Sequence, residues 1–246
     1  MDASDRPADC APLAALLYER STAPDLPALV AGAAHGSGYA VSHAPEASEG
    51  WAEILRDGLT FDLHGLAGGP AQPSPEITAG VGMDRSGVGT MAALMMAPGP
   101  HLAGAHRLLP VIRVAANLLL ELARIGPAQA IAWLPAKLSI RTDLFEKAVR
   151  PWLEGGPFPA PAFVALHPAE DGGLQTIGLN FFTGQEFFLH AGSPDASTRL
   201  PRVAIRLVDW LVAHGPVTGQ AEAVLAGTGA VFLEARESGR IVARCD

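Results

Sequence analysis

Two apolar helical segments, each closed by a Gly-Pro pair, constrain this chain more than any other feature. Gly126-Pro127 and Gly215-Pro216 follow amphipathic runs that predict helices over 105–124 and 194–214. A glycine just past the last turn, followed by proline, is a typical helix end. Strand-like runs precede and follow each helix, so one order of elements occurs twice. We therefore predict an α+β fold with antiparallel or mixed sheets, helices on one side of them, and two related halves.

The 246-residue chain is long enough for one large domain or two small ones. The repeated order predicts an N-terminal half over 1–136 and a C-terminal half over 137–246, with a single compact domain as the alternative. Local patterns add shorter elements. Further helices are predicted at 11–20, 48–56 and from Thr142 or Asp143, and strands at 39–43, 59–65, 76–84, 90–97, 129–135, 162–168, 229–235 and 240–245.

Charge and hydropathy exclude several classes of function. The net charge is −8, which disfavours nucleic-acid binding, because counterion release from phosphates requires Lys and Arg. The most apolar window, 108–125, is interrupted by charged residues, so no membrane span is predicted. The first ten residues lack the pattern of a secretory signal, and we expect a cytoplasmic protein. Richness in Ala, Gly and Pro is typical of a bacterium with a GC-rich genome.

The stretch GLNFFTGQEFFLHAG, residues 178–192, concentrates four phenylalanines in a chain with few aromatics. Thr183-Gly184 predicts a tight hairpin in which Phe182 and Phe187 share one face and Phe188 lies on the other. Both faces are then apolar, which predicts that both are covered. Core packing, a partner surface and a ligand floor are the three interpretations. Phe182 and Phe187 are the candidate binding residues.

Asp62 and His64 are the candidate catalytic residues. They lie two apart on the predicted strand LTFDLHG and hence side by side on one face. A carboxylate beside an imidazole can orient it as a general base, which also requires a nucleophile. Nothing in the spacing selects among Ser74, Ser86 and Ser139. The competing interpretation is a polar, solvated strand face.

Cofactor and metal motifs are absent from the sequence. GVGMDRSGVGT, residues 80–90, is rich in glycine but lacks the Lys of a phosphate-binding loop. It is better interpreted as a hairpin turn between two strands. The eight histidines and two cysteines show no metal-binding spacing, so neither a metal nor a cofactor is expected.

Three arginines form a stripe on the last predicted helix. Arg199, Arg202 and Arg206 recur at spacings of three and four, which places them on one helix face. Guanidinium groups suit an anionic partner. A solvated helix face, partly neutralised by Asp195 and Asp209, is the alternative.

The run LQTIGLNFFTGQEFFL, followed by an amphipathic helix and HGPV, resembles the uncharacterised bacterial family known as domain of unknown function 4261. The resemblance covers about residues 110–236. The matching positions are Thr176, Gly178, Leu179, Gly184, Glu186 and Gly215. It implies an α+β domain and carries no established activity and no functional residues.

A non-catalytic cytoplasmic module that binds another protein, or a second copy of itself, is the function that these patterns favour. The apolar hairpin and the absence of a catalytic motif are its basis. A small-molecule hydrolase built on Asp62 and His64 is one alternative. An immunity-type binder, which would bind a basic toxin, is another.

Overall fold

The protein contains two β-sheets with associated helices, which confirms the α+β class with antiparallel and mixed sheets. The computed structural model describes residues 11–34, 36, 38–169, 172–191 and 199–245. Contacts divide the chain into two compact units. One runs to Leu134 and includes Ser139–Lys147, and the other holds Pro135–Leu138 and the chain from Ala148 onward. The predicted halves 1–136 and 137–246 stay a prediction.

The first sheet has eight strands in the order β2-β3-β4-β6-β1-β7-β8-β5. Along the chain, one helix lies between β1 and β2, a second lies between β6 and β7, and a third follows β8. The elements are β1 Ala14–Tyr18, α1 Leu26–Ala34, β2 Ala40–His43, β3 Trp51–Arg56, β4 Leu59–His64, β5 Ala79–Val81, β6 Ala92–Pro98, α2 Leu109–Leu122, β7 Ala130–Trp133, β8 Leu138–Arg141 and α3 Thr142–Leu153.

The predicted helix at 11–20 is wrong, because this segment contains the strand β1. All five β1 residues are buried, and the strand pairs antiparallel with both β6 and β7. Its sequence, AALLY, offers no polar side that a surface helix could turn to water. A short, continuously apolar run is typical of a strand buried on both faces. Position in the sheet therefore overrides the helix preference of Ala and Leu.

The predicted helix at 48–56 is also wrong, since β3 forms a hairpin with β4. The turn is Asp57-Gly58, and both residues have positive φ, 50° and 78°. Asp-Gly suits this left-handed two-residue turn, whose twist matches that of paired strands. Phe61 and Leu63 are buried on one face of β4, as the alternation predicts. The predicted strands 39–43 and 59–65 are confirmed.

The Gly-rich segment between β5 and β6 is not the predicted hairpin turn. β5 lies at the edge of the sheet beside β8, whereas β6 lies between β4 and β1. Residues 85–90 form a 3-10 segment that starts where the Asp84 carboxylate accepts the N–H of Ser86 at 3.1 Å. The Ser86 hydroxyl donates to the same carboxylate, and this bond, together with the one from the Ser86 N–H, holds the pKa of Asp84 below its usual value. Val88 packs into a buried cluster with Met95, so the segment covers part of the sheet.

The second sheet has six strands in the order β12-β13-β14-β11-β10-β9. It is mixed, because β11 and β14 pair in parallel. Its strand order differs from that of the first sheet, so the repeated order of elements does not extend to topology. The elements are α4 Ala160–Phe163, β9 Ala165–Pro168, β10 Leu174–Ile177, α5 Asn180–Thr183, β11 Glu186–Ala191, α6 Leu200–His214, β12 Gln220–Leu225, β13 Gly229–Ala235 and β14 Arg240–Cys245.

The helix α6 buries its apolar stripe against the second sheet, where it contacts β10, β11 and β12. The start of the predicted helix 194–214 lies outside the described residues. The inward-pointing residues of the sheet form what we call the inner face. They include Phe187 and Leu189 of β11 and Val231 and Leu233 of β13, all of them buried.

The predicted hairpin at Thr183-Gly184 is wrong, because one turn of helix, α5, separates β10 from β11. The Glu186 carboxylate accepts three backbone N–H groups at the start of this turn, from Gly178 at 2.7 Å and from Leu179 and Asn180 at 3.2 Å each. Gly184 ends the turn in the left-handed conformation. These carboxylate contacts satisfy N–H groups that a helix start leaves unpaired.

The residues behind the family resemblance thus have structural roles in this segment. The Thr176 hydroxyl accepts the N–H of Phe187 at 2.9 Å. A Cβ on Gly178 would lie 2.5 Å from the Ala136 Cβ. Gly215 caps α6 by donating its N–H to the Leu211 carbonyl at 2.8 Å. The matching positions define a turn and a helix end.

We expect three glycine-to-alanine substitutions to give graded losses of stability in urea unfolding. Gly178→Ala meets both a positive φ of 96° and the backbone of Ala136, and should cost about 3 kcal/mol or more. Gly184→Ala meets only its positive φ of 79°, with no atom within 4 Å, and should cost about 1 kcal/mol.

Gly87→Ala is the control, because this glycine has no positive φ and no neighbour within 4 Å. Its effect should stay within about 0.5 kcal/mol. Equal losses at Gly178 and Gly87 would contradict the turn geometry.

Candidate protein-binding surface

Phe182 and Phe187, the predicted binding residues, lie in the interior of the second unit. Phe187 is 1% exposed on the inner face, so it is unavailable to a partner. Phe182 is half-buried among aromatic rings, with its centroid 5.0 Å from that of Phe158 and 6.1 Å from that of Phe163. Core packing is therefore the interpretation that the structure supports for Phe187. The predicted face that holds Phe188 is divided, since Leu179 and Phe181 are buried whereas Phe188 is half-buried.

Asp62 and His64 lie on one face of β4, as predicted, and both are half-buried. His64 stacks on the indole of Trp51 in β3, with the ring centroids 6.0 Å apart. On the other side of β3, His43 of β2 has its ring centroid 5.3 Å from that of the same indole. Asp62 is directly opposite Glu53 in the β3–β4 register. The face thus combines two carboxylates with two imidazoles around one tryptophan.

The three serines considered as nucleophiles have other hydrogen-bond partners. The Ser74 hydroxyl donates to the Gly89 carbonyl, that of Ser139 to the Ala79 carbonyl, and that of Ser86 to the Asp84 carboxylate. Each hydroxyl therefore has a local structural partner. A catalytic role for Asp62 and His64 stays a prediction.

The arginine stripe lies at the start of α6, with Arg199 immediately before the helix. Arg199, Arg202 and Arg206 are all exposed. Asp209, one of the two carboxylates of the alternative interpretation, accepts the N–H of Phe158 at 2.9 Å. Asp195 lies outside the described residues. Anion binding by this stripe also stays a prediction.

The residues that the structure describes form neither a metal-binding cluster nor a membrane-spanning helix. Within the described part of the chain, no group of three or more His, Cys, Asp or Glu residues is placed to hold a metal ion. Among the helices formed by those residues, none has the length and apolar character needed to span a bilayer.

Among the described residues of the second unit, the most exposed large apolar side chains lie on the outer face of the sheet formed by β12, β13 and β14. Val224 is 74% exposed and Phe232 is 51% exposed. The two residues lie on adjacent antiparallel strands, since Phe232 is opposite Glu222 and Val224 is opposite Ala230. We call this surface, with Val242 of β14 and Phe188 of β11, the Phe232 face.

Two rows of residues cross the Phe232 face, and each row combines apolar side chains with polar or charged ones. One row across the strands reads Glu222, Phe232, Arg244 and His190, and the next row reads Gln220, Glu234, Val242 and Phe188. A shallow groove of about 200 Å³ lies between the strands and is lined by residues of both rows. An apolar centre with a charged border is the usual anatomy of a protein-binding patch.

Charge on the Phe232 face is distributed unevenly across the strands. Glu222 lies on the β12 side of Phe232 and Arg244 on the β14 side, and both side chains are exposed. Neither of these residues takes part in a salt bridge within the part of the chain that the structure describes. Glu234, in contrast, pairs with Arg236 at 2.9 Å.

These residues were not predicted from the sequence, because the strands β13 and β14 were predicted but β12 was not. The signal was present, since residues 220–245 hold three alternating runs separated by short Gly-containing turns. A meander of this kind places every second residue on one face. Taken over all three runs, this alternation places Val224, Phe232 and Arg244 on the same face of the sheet.

Comparisons with known proteins gave no relative of this chain. No protein-family model matches it, and neither the curated proteins nor the solved structures include a significant match. The resemblance to the domain of unknown function 4261 family therefore stays a prediction.

Two phenylalanine substitutions should separate the core from the surface of this sheet. Phe187→Ala removes a ring that is 1% exposed and should lower the free energy of unfolding by about 3–5 kcal/mol. Phe232→Ala truncates a ring that is 51% exposed and should cost about 1 kcal/mol or less.

Urea unfolding at low protein concentration, monitored by circular dichroism, measures both losses. Similar losses for the two variants would mean that Phe232 is covered in the isolated chain.

Proposed function

We propose that this protein is a non-catalytic protein-binding module and that the Phe232 face is its binding surface. The observation that carries the proposal is the adjacent exposure of Val224 and Phe232 on a regular sheet. Exposed apolar side chains that are grouped within a polar border mark interaction sites more often than isolated ones do. We also propose the cytoplasm as its compartment, which stays a prediction from the sequence.

The exposed apolar area would supply part of the free energy of binding. The uncovered parts of Phe232 and Val224 amount to roughly 200 Å², which corresponds to about 5 kcal/mol at 25 cal/mol/Å². Association itself costs about 4–15 kcal/mol, so these two side chains alone do not give tight binding. Charged residues of the border, Glu222 and Arg244 among them, would then determine which partner binds.

The half-buried Asp62–His64 face of the first unit is less suited to explain function. A hydrolase requires a nucleophile beside the imidazole, and the candidate serines make other hydrogen bonds. His64 itself packs against Trp51. A structural role in the β3–β4 hairpin is sufficient to explain this contact.

Binding by the Phe232 face can be tested with the double variant Val224→Ser/Phe232→Ser. A partner identified by cross-linking to the wild-type chain should be purified and titrated against both proteins. We expect the dissociation constant to rise at least tenfold in the variant, because the apolar anchors are removed.

Arg202→Ala/Arg206→Ala is the matched control on a different exposed surface. The proposal would be contradicted if this control loses binding while the Val224/Phe232 variant keeps its dissociation constant. The binding site would then be the arginine stripe.

The non-catalytic part of the proposal has its own test in the hydrolysis of p-nitrophenyl acetate. We expect the wild type and His64→Gln to show equal rates, matching a His214→Gln control on the exposed end of α6. A rate that falls tenfold or more in His64→Gln alone would establish hydrolytic chemistry at this face.

A further inference from the structure

The row of residues across the Phe232 face is complementary to itself. Glu222 and Arg244 lie on the strands to either side of Phe232, directly opposite it in both registers. Neighbouring strands are about 4.8 Å apart, so the two charges flank the ring at equal distances. We infer that the occupant of this face is a second copy of the same chain, an inference that rests on the proposed function.

A two-fold axis parallel to β13 would pair Glu222 of each copy with Arg244 of the other. If two copies stack face to face about such an axis, the β12 side of one copy lies over the β14 side of the other. Glu222 of each copy then faces Arg244 of its partner, and the two Phe232 rings meet at the centre. The interface contains two equivalent ion pairs, as an isologous dimer requires.

The distances are compatible with sheet packing. Stacked sheets lie about 10 Å apart, which leaves room for two phenylalanine rings and for the longer Glu and Arg side chains to meet. In the neighbouring row, Glu234 of each copy would approach its equivalent near the axis. Its pairing with Arg236 at 2.9 Å compensates that charge within each copy.

Charge favours this geometry over pairing between exposed strand edges. β12 is the terminal strand of the sheet, and an in-register antiparallel pair centred on Glu222 would place this carboxylate opposite its own copy. Arg244 lies two strands away from that edge and would make no contact. Only the face-to-face arrangement uses both Glu222 and Arg244.

Charge exchange tests the inference by sedimentation velocity over a range of concentrations. We expect the wild type to dimerise and both Glu222→Arg and Arg244→Glu to raise the dimer dissociation constant at least tenfold. The double exchange Glu222→Arg/Arg244→Glu restores both ion pairs with reversed sign and should return the constant to within about threefold of the wild type.

Net charge alone predicts a different result, which makes the test specific. Exchanging one charge shifts the net charge by two, so the wild-type value of −8 becomes −6 in Glu222→Arg and −10 in Arg244→Glu. General repulsion would therefore strengthen the dimer in the first variant and weaken it in the second. Glu237→Arg, in the exposed turn after β13, is the control for the same charge change and should leave the constant unchanged.

The outcomes separate this inference from the proposed function. A dimer whose dissociation constant is insensitive to both single exchanges overturns the inference, and so does a chain that stays monomeric at all concentrations. If that monomer still binds a purified partner through Phe232, the proposed function stands without the second copy. If no partner depends on Phe232, both proposals fail.

Discussion

The Glu186 carboxylate fixes the arrangement on which the second unit depends. It accepts the N–H groups of Gly178, Leu179 and Asn180, and so holds the single helical turn between β10 and β11. Glu186 is also the first residue of β11, opposite Arg240 in the parallel register with β14. Because side chains alternate along a strand, fixing this one position determines which residues of β11 and β14 point inward.

This register determines which residues of the second sheet are buried and which are exposed to solvent. Phe187 and Leu189 of β11 are buried with Ile241 and Ala243 of β14 on the inner face. The alternate positions, among them Arg244, then point outward beside Phe232. A shift of one residue would expose the buried set, so the composition of the outer face follows from the requirement to bury the inner one.

Sequence patterns predicted the elements that have a regular apolar period. The helix α2 and the strands β4 and β13 agree with the pattern, because one face of each is buried against a core. The strand β7 was predicted from a continuous apolar run, and all four of its residues are buried. β1 was mistaken for a helix, since its burial depends on two strands that are distant in sequence. β3 was mistaken as well, although Asp57-Gly58 is a strong local signal for a hairpin.

The candidate surface was missed because its signal is spread over three strands instead of one short stretch of sequence. Phe182 and Phe187 are aromatic and close in sequence, which made them candidates, but a sequence does not show which rings a helix will cover. Phe232 is a lone aromatic in its strand, and its importance arises from β12 and β14 on either side. Asp62 and His64 did fall on one face, because a spacing of two is a local property of any strand.

The position of β14 within the sheet also determines when the second unit can fold. β14 is the last of the six strands along the chain, yet it joins the β12–β13 pair to the three strands β9, β10 and β11. During synthesis these two fragments remain separate until Arg240–Cys245 have left the ribosome. The edge of β11 that pairs with β14 therefore stays without its neighbouring strand until β14 has emerged, and a nascent chain that stalls before that point would be a substrate for chaperones or proteases.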